Sequence, residues 1–207
     1  MLITIFFALT TGFLHAFEAD HLVAVSAIVT RRQRMILAVK DGIAWGLGHT
    51  STIMVIGILI IAGRLMLAEE IFHYLEAGVG LMLIGLGINR LRNALRHTPG
   101  HTHDAHTPPV HGHRLAYGVG LVHGLAGSGS LVLLVMSQIP EPGSAMAYLF
   151  TFGLGSVLGM LVASGAFSLP LSRELRLQVN LRPALTLVSA VLCLGVGIQV
   201  VYENLLA

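Results

Sequence analysis

Six stretches of this chain, 2–28, 36–63, 73–93, 115–139, 145–169 and 183–203, are apolar over lengths that suit a bilayer crossing. A helix spans the hydrocarbon core with about 20 mostly apolar residues. Backbone groups in lipid must be satisfied within the segment, so runs of this kind fold as helices. The composition agrees: 55% of residues are hydrophobic, only 11% are charged, and the mean hydropathy is +0.81. A soluble domain carries about 25% charged residues. The chain also has 24 glycines, which suits tightly packed membrane helices. Cys193 is the single cysteine, so there is no disulfide framework. A secretory signal reading of the first stretch is the weaker one. That stretch lacks a basic leader and stays apolar through "HLVAVSAIV".

Charge sets the expected orientation. The connections after the first, third and fifth runs hold Arg31, Arg32, Arg34, Lys40, Arg90, Arg92, Arg96, Arg114, Arg173, Arg176 and Arg182. The opposite side holds only Arg64, beside Glu69 and Glu70. The positive-inside rule then puts the basic connections in the cytoplasm and both termini outside, in the cytoplasmic (inner) membrane. Basic residues confined to short connections also make nucleic acid an improbable partner. Glu69, Glu70 and Glu76 flank the third run and read as a solvated face or a weak cation-attracting vestibule.

The two halves resemble each other. "GFLH" (12–15) aligns with "GLVH" (120–123), "AWGLGH" (44–49) with "TFGLGS" (151–156), and "IGLGIN" (84–89) with "LGVGIQ" (194–199). The offsets are 108, 107 and 110, so the order of matches is kept. His15 pairs with His123, and His49 with Ser156. Three spans per copy would insert the second copy upside down, as in many secondary transporters. The expected fold is therefore all-α and integral to the membrane, with six transmembrane helices as two inverted three-helix repeats. The first repeat covers 1–96, a cytoplasmic His-rich loop 97–114, and the second repeat 115–207. Shared small-residue packing is the competing explanation. "GIAWG", "GLVHG" and "GSVLG" are GxxxG patterns that let helix backbones approach closely.

Polar groups interrupt these apolar runs. "HAFEADH" (15–21) places His15, Glu18, Asp20 and His21 within the first. On an ideal helix His15, Glu18 and His21 share a stripe, whereas Asp20 lies about 140° from His15. Asp20 then serves another neighbour, or the helix is distorted there. His49 lies midway along the second run, at a depth where it can meet His15. His123 begins "HGLAGSGS", whose glycines and serines weaken a regular helix and either expose carbonyls to a cation or admit a neighbouring helix. Ionisable groups inside a membrane are costly and are functional by default. Imidazole with carboxylate suits borderline divalent metals such as Ni²⁺, Co²⁺ and Zn²⁺. Interhelical hydrogen bonding without a ligand is the alternative. Glu18 is balanced between ligand and outer support. Met54, Met82, Met136 and Met160 read as core filler.

The stretch "HTPGHTHDAHTPPVHGH" (97–113) holds His97, His101, His103, His106, His111 and His113. Such a composition signals metal capture more than it does a bland linker.

At "HAFEADHL" and "GLGHTS" the sequence resembles the nickel/cobalt transporter superfamily, whose early helices carry H-x4-D-H and then Gly-His-Ser/Thr. "GLVHGLAGSGSL" (120–131) is similar to the short urease-accessory-type branch. The resemblance implies that His15, Asp20, His21 and His49, and with them His123, recognise and pass Ni²⁺ or Co²⁺. The chain departs from the longer members, which have eight spans and an acidic motif in the second half. Its interior acid is Glu18 where the family usually has Asp. A long His-rich loop is commoner among exporters.

Secondary transport of nickel or cobalt is thus the expected function, with uptake favoured and efflux the alternative. The metal is cargo, with no cofactor expected. Candidate partners are a cytoplasmic metallochaperone or urease and hydrogenase maturation proteins. An intramembrane metalloenzyme or a metal-delivery accessory protein is the remaining alternative. No HExxH motif occurs, and Lys40, the single lysine, follows "MILAV" rather than a phosphate-binding loop, so enzyme activity is not expected.

Overall fold

The computed structural model describes residues 2–29, 32, 34–63, 69–96, 112–125, 139, 141–169 and 181–206. They form seven helices: α1 (Leu2–His15), α2 (Ala19–Val29), α3 (Met35–Gly63), α4 (Glu69–Arg96), α5 (Gly112–His123), α6 (Pro142–Ser168) and α7 (Leu181–Leu205). Stretches of α3, α4, α6 and α7 are each long and apolar enough to cross a membrane. Together α1 and α2 are also long and apolar enough to cross, as a pair bent by 56° that forms a broken span or a re-entrant loop. The protein is an all-helical, multi-pass membrane protein. Within the expected fourth span, 126–138 lie outside the described residues, as do His97, His101, His103, His106 and His111.

The first span is not the single regular helix that the helical wheel assumed. At its break the Phe17 amide donates to the Leu14 carbonyl (2.9 Å) and the Glu18 amide to the His15 carbonyl (3.1 Å). These tighter i−3 bonds close the last turn of α1. The Leu22 amide then donates to the Glu18 carbonyl (2.9 Å), which starts α2. Asp20 lies in the first turn of α2, where a carboxylate interacts favourably with the positive end of the helix. The end of α5 is similar: it stops at His123, and the Leu125 amide donates to the Val122 carbonyl (3.1 Å). Proline in the first turn of α6 starts that helix where its missing amide costs nothing.

Close glycine contacts set the packing. A Cβ on Gly155 would collide with the Leu9 carbonyl, and one on Gly159 with the Phe13 carbonyl, so α1 lies parallel to α6, with Gly12 against the Phe152 carbonyl. A Cβ on Gly120 would collide with the Trp45 carbonyl, and one on Gly124 with the His49 carbonyl, so α5 lies parallel to α3, with Gly48 against the Tyr117 carbonyl. Antiparallel contacts join α3 to α6 through Gly42 and Gly46, and α4 to α7 through Gly80, Gly87 and Gly197. All three GxxxG patterns therefore lie in helix interfaces. With α3 antiparallel to α6, the short helices α1 and α5 enter the bundle from opposite ends, and each stops at a histidine. In contrast to α1, α2 is buried from Val23 to Val29 and packs chiefly against α7 and α6.

Replacing Gly120 by Leu should force α5 off α3. The variant should lose at least about 1–3 kcal/mol of stability, the usual range for overpacking, and a markedly lower unfolding temperature in detergent is the readout. An unchanged unfolding temperature would contradict the contact.

Candidate metal centre

Four imidazoles meet where α1 and α5 end. His15, His21, His49 and His123 are only 0–3% exposed. His15 terminates α1, His123 terminates α5, His21 lies in the first turn of α2, and His49 lies midway along α3. Ring centroids are 4.2 Å apart for His15 and His21, 5.1 Å for His15 and His49, 5.4 Å for His21 and His49, and 4.1 Å for His21 and His123. His21 is thus the hub. The negative ends of the α1 and α5 dipoles both adjoin the cluster, which favours a cation there.

Carboxylates stand behind the imidazoles. Asp20 Oδ1 lies 3.1 Å from His21 Nδ1 and accepts the His21 backbone N–H at 2.9 Å. Its other oxygen lies 2.8 Å from His123 Nε2. Glu18 Oε1 lies 3.0 Å from His15 Nδ1. The break between α1 and α2 is what brings Asp20 to the cluster despite its off-stripe position on an ideal helix. Glu18 leaves 48% of its side chain exposed, against 22% for Asp20, so Glu18 marks the open edge of the site.

An ionised carboxylate only accepts, so Asp20 draws the proton to His21 Nδ1 and to His123 Nε2. Among the described residues, the opposite nitrogens, His21 Nε2 and His123 Nδ1, are buried without a hydrogen-bond partner, as are both ring nitrogens of His49. An unsatisfied buried polar group costs about 1–3 kcal/mol, and several within one cluster of rings fit a shared ligand. Ligand atoms of His15, His21 and His49 all lie within 4.8 Å of one another, and so do those of Asp20, His21 and His123. Metal–nitrogen bonds of about 2.1 Å put the ligand atoms of a tetrahedral site roughly 3.4 Å apart. Small side-chain shifts would therefore close either group around an ion. The sequence-predicted residues His15, Glu18, Asp20, His21, His49 and His123 all converge here. Of the His-rich tract only His113 falls among the described residues, and it bonds elsewhere, to Asp41.

Over 208 residues the chain is 32% identical to the urease accessory protein UreH of Bacillus sp. (strain TB-90), covering 94% of this chain and 90% of the relative. The chain belongs to the UreH family. No family model and no solved structure matches it.

Two further groups in this UreH-family chain complete the surroundings of the cluster, and neither was expected as a site residue. Trp45 stacks on His21 at 5.5 Å and meets His123 edge-on at 5.7 Å. Phe152 packs 5.7 Å from His15. Trp45 precedes His49 by four residues, one turn along α3, and that i,i+4 spacing was the available signal. Phe152 aligns with Trp45 in the two halves, which was a second signal.

Asp20→Ala removes the acceptor for two buried imidazoles at once. Its unfolding free energy should fall by about 1–3 kcal/mol with no metal present, measured by thermal denaturation in detergent. A loss no larger than that of an exposed-site control would mean that Asp20 does not hold the cluster together.

Proposed function

We propose that this protein carries a divalent transition-metal ion, nickel or cobalt, across the cytoplasmic membrane, and that uptake is its direction. The observation that carries the reading is the set of buried imidazole nitrogens, without partners among the described residues, gathered in one cluster of rings where two half-helices end. His21, His49 and His123 would offer nitrogen lone pairs, with His15 beside them. Asp20 and Glu18 would serve from behind, fixing which nitrogen of each ring carries the proton. Carboxylates in that role orient imidazole ligands and raise their basicity. Imidazole donors suit nickel, cobalt and zinc over magnesium and calcium, and the resemblance to nickel/cobalt transporters narrows the choice. The relative is named as accessory to urease, which fits a metal delivered to a maturation machine rather than a reaction catalysed here.

Six spans in two inverted repeats is the architecture we infer. It is supported by contacts that recur under exchange of the halves. Gly12 against Phe152 corresponds to Gly120 against Trp45, and Gly155 against Leu9 corresponds to Gly48 against Tyr117. Likewise, Gly80 against Gly197 corresponds to Ala190 against Gly87. Repeats at 1–96 and 115–207, joined by the tract at 97–114, fit this exchange. Discontinuous helices meeting near the midplane at a repeat interface suit alternating access. The distribution of Arg and Lys favours a cytoplasmic tract and external termini. In this scheme an ion exchanges its water for imidazoles, and rocking of the halves opens the opposite side. Efflux is the second reading, favoured by the long His-rich tract.

Flux of ⁶³Ni²⁺ or ⁵⁷Co²⁺ in proteoliposomes of known orientation tests the proposal and fixes direction. His15→Ala and Asp20→Ala should reduce flux to background, while Asp20→Asn should weaken metal binding about ten- to a hundredfold. Normal flux in both alanine variants would refute the site. Serine in place of His97, His101, His103, His106 and His111 should leave basal flux, and complete loss would move the tract into the path.

A further inference from the structure

A second carboxylate–imidazole pair lies on the same helix as His49. Asp41, only 1% exposed, is two turns before His49 on α3, with Trp45 between them. Both of its oxygens are engaged. Arg32, from the α2–α3 connection, approaches Oδ2 through Nε (2.5 Å) and Oδ1 through Nη2 (2.9 Å). His113 Nδ1, at the start of α5, lies 2.8 Å from Oδ1. Three segments are thereby tied at the end of the bundle that carries the basic connections.

Two comparisons separate this cluster from an ordinary surface ion pair. First, its carboxylate faces an imidazole Nδ1, as Asp20 does at His21 and Glu18 does at His15. That leaves Nε2 of half-exposed His113 as the free lone pair, with no partner among the described residues. Second, the equivalent of Asp41 in the other half is Tyr148, which lies in an apolar cluster with Ala8, Leu149 and Phe152. One of the two equivalent positions holds a phenol bonded to Thr11 in apolar surroundings, and the other a buried carboxylate whose cation is a tethered guanidinium. A buried carboxylate requires a positive partner, but a mobile dication can supply one as well as Arg32 does.

We propose that Asp41 and His113 form a second, transient station for the transported divalent cation, in which Arg32 occupies the carboxylate until the ion displaces it. This rests on the transport reading above. Asp41, Trp45 and His49 follow one stripe of α3, so the station lies in line with the central cluster. Trp45 separates the two, and loading the station requires the Arg32 clamp to open. His113 is also the last histidine of the tract, which places the station between the tract and the centre.

The test counts bound ⁶³Ni²⁺ by equilibrium dialysis in the full-length protein with His97, His101, His103, His106 and His111 changed to Ser. Removing the competitor with Arg32→Gln should add one bound ion per chain, and adding Asp41→Asn should remove that ion while the central one remains. Should Arg32→Gln fail to fold, Arg32→Lys, which keeps one charge but loses the fork, should show the same extra ion at a higher half-saturating concentration. A folded Arg32 variant that binds no more nickel than its parent overturns the station. So does an extra ion that survives Asp41→Asn. Flux by the unmodified protein is measured separately: absent flux refutes transport, whereas normal flux with no extra ion refutes the station alone.

Discussion

The carboxylate of Asp20 joins the two ends of the site. One oxygen faces His21 at the start of α2, and the other faces His123 at the end of α5. Those helices belong to opposite halves of the chain, 103 residues apart at this contact. In a medium of low dielectric such a charge-assisted bridge is strong, and an unpaired carboxylate would be untenable. The break at 16–18, the orientation of His21 and the close approach of α5 to α3 are all compatible with that one bridge. A continuous first helix would point Asp20 away from it.

Glycine supplies the complementary constraint. Imidazoles on four helical segments can share a small volume only if the backbones nearly touch. Gly48, Gly120 and Gly124 bring α3 and α5 together beside His49 and His123, while Gly12, Gly155 and Gly159 do the same for α1 and α6 beside His15. Thr52 reinforces the first pair by donating its hydroxyl to the Leu121 carbonyl at 2.9 Å. Packing of this kind has to replace the hydrophobic effect, which lipid does not supply between helices. Polar site and small-residue interface are therefore a single arrangement.

Much of this was legible in the sequence. Apolar length located α3, α4, α6 and α7 within a few residues, because a bilayer imposes its thickness directly. The gathering of His15, Asp20, His21, His49 and His123 followed from the cost of ionisable groups in hydrocarbon. The break after His15 was only half visible: the wheel showed Asp20 out of line, but periodicity cannot tell a bent helix from a different neighbour. Trp45 was signalled only by its i,i+4 spacing from His49, since an aromatic in an apolar helix shows little of what it stacks on. The tie between Arg32, Asp41 and His113 was hidden because its members come from three segments whose proximity depends on the tertiary fold.

The exchange of His49 for Ser156 between the halves has a consequence for the symmetry of the centre. Ser156 turns its hydroxyl back to the Phe152 carbonyl at 3.1 Å and adds no nitrogen. A perfectly duplicated chain would present two overlapping cages, mirror partners competing for one ion or crowding two. With a ring on one side and a self-satisfied hydroxyl on the other, the nitrogen donors of the centre are displaced toward the first half. The two faces of the membrane are then unequal even to a cation resting at mid-depth.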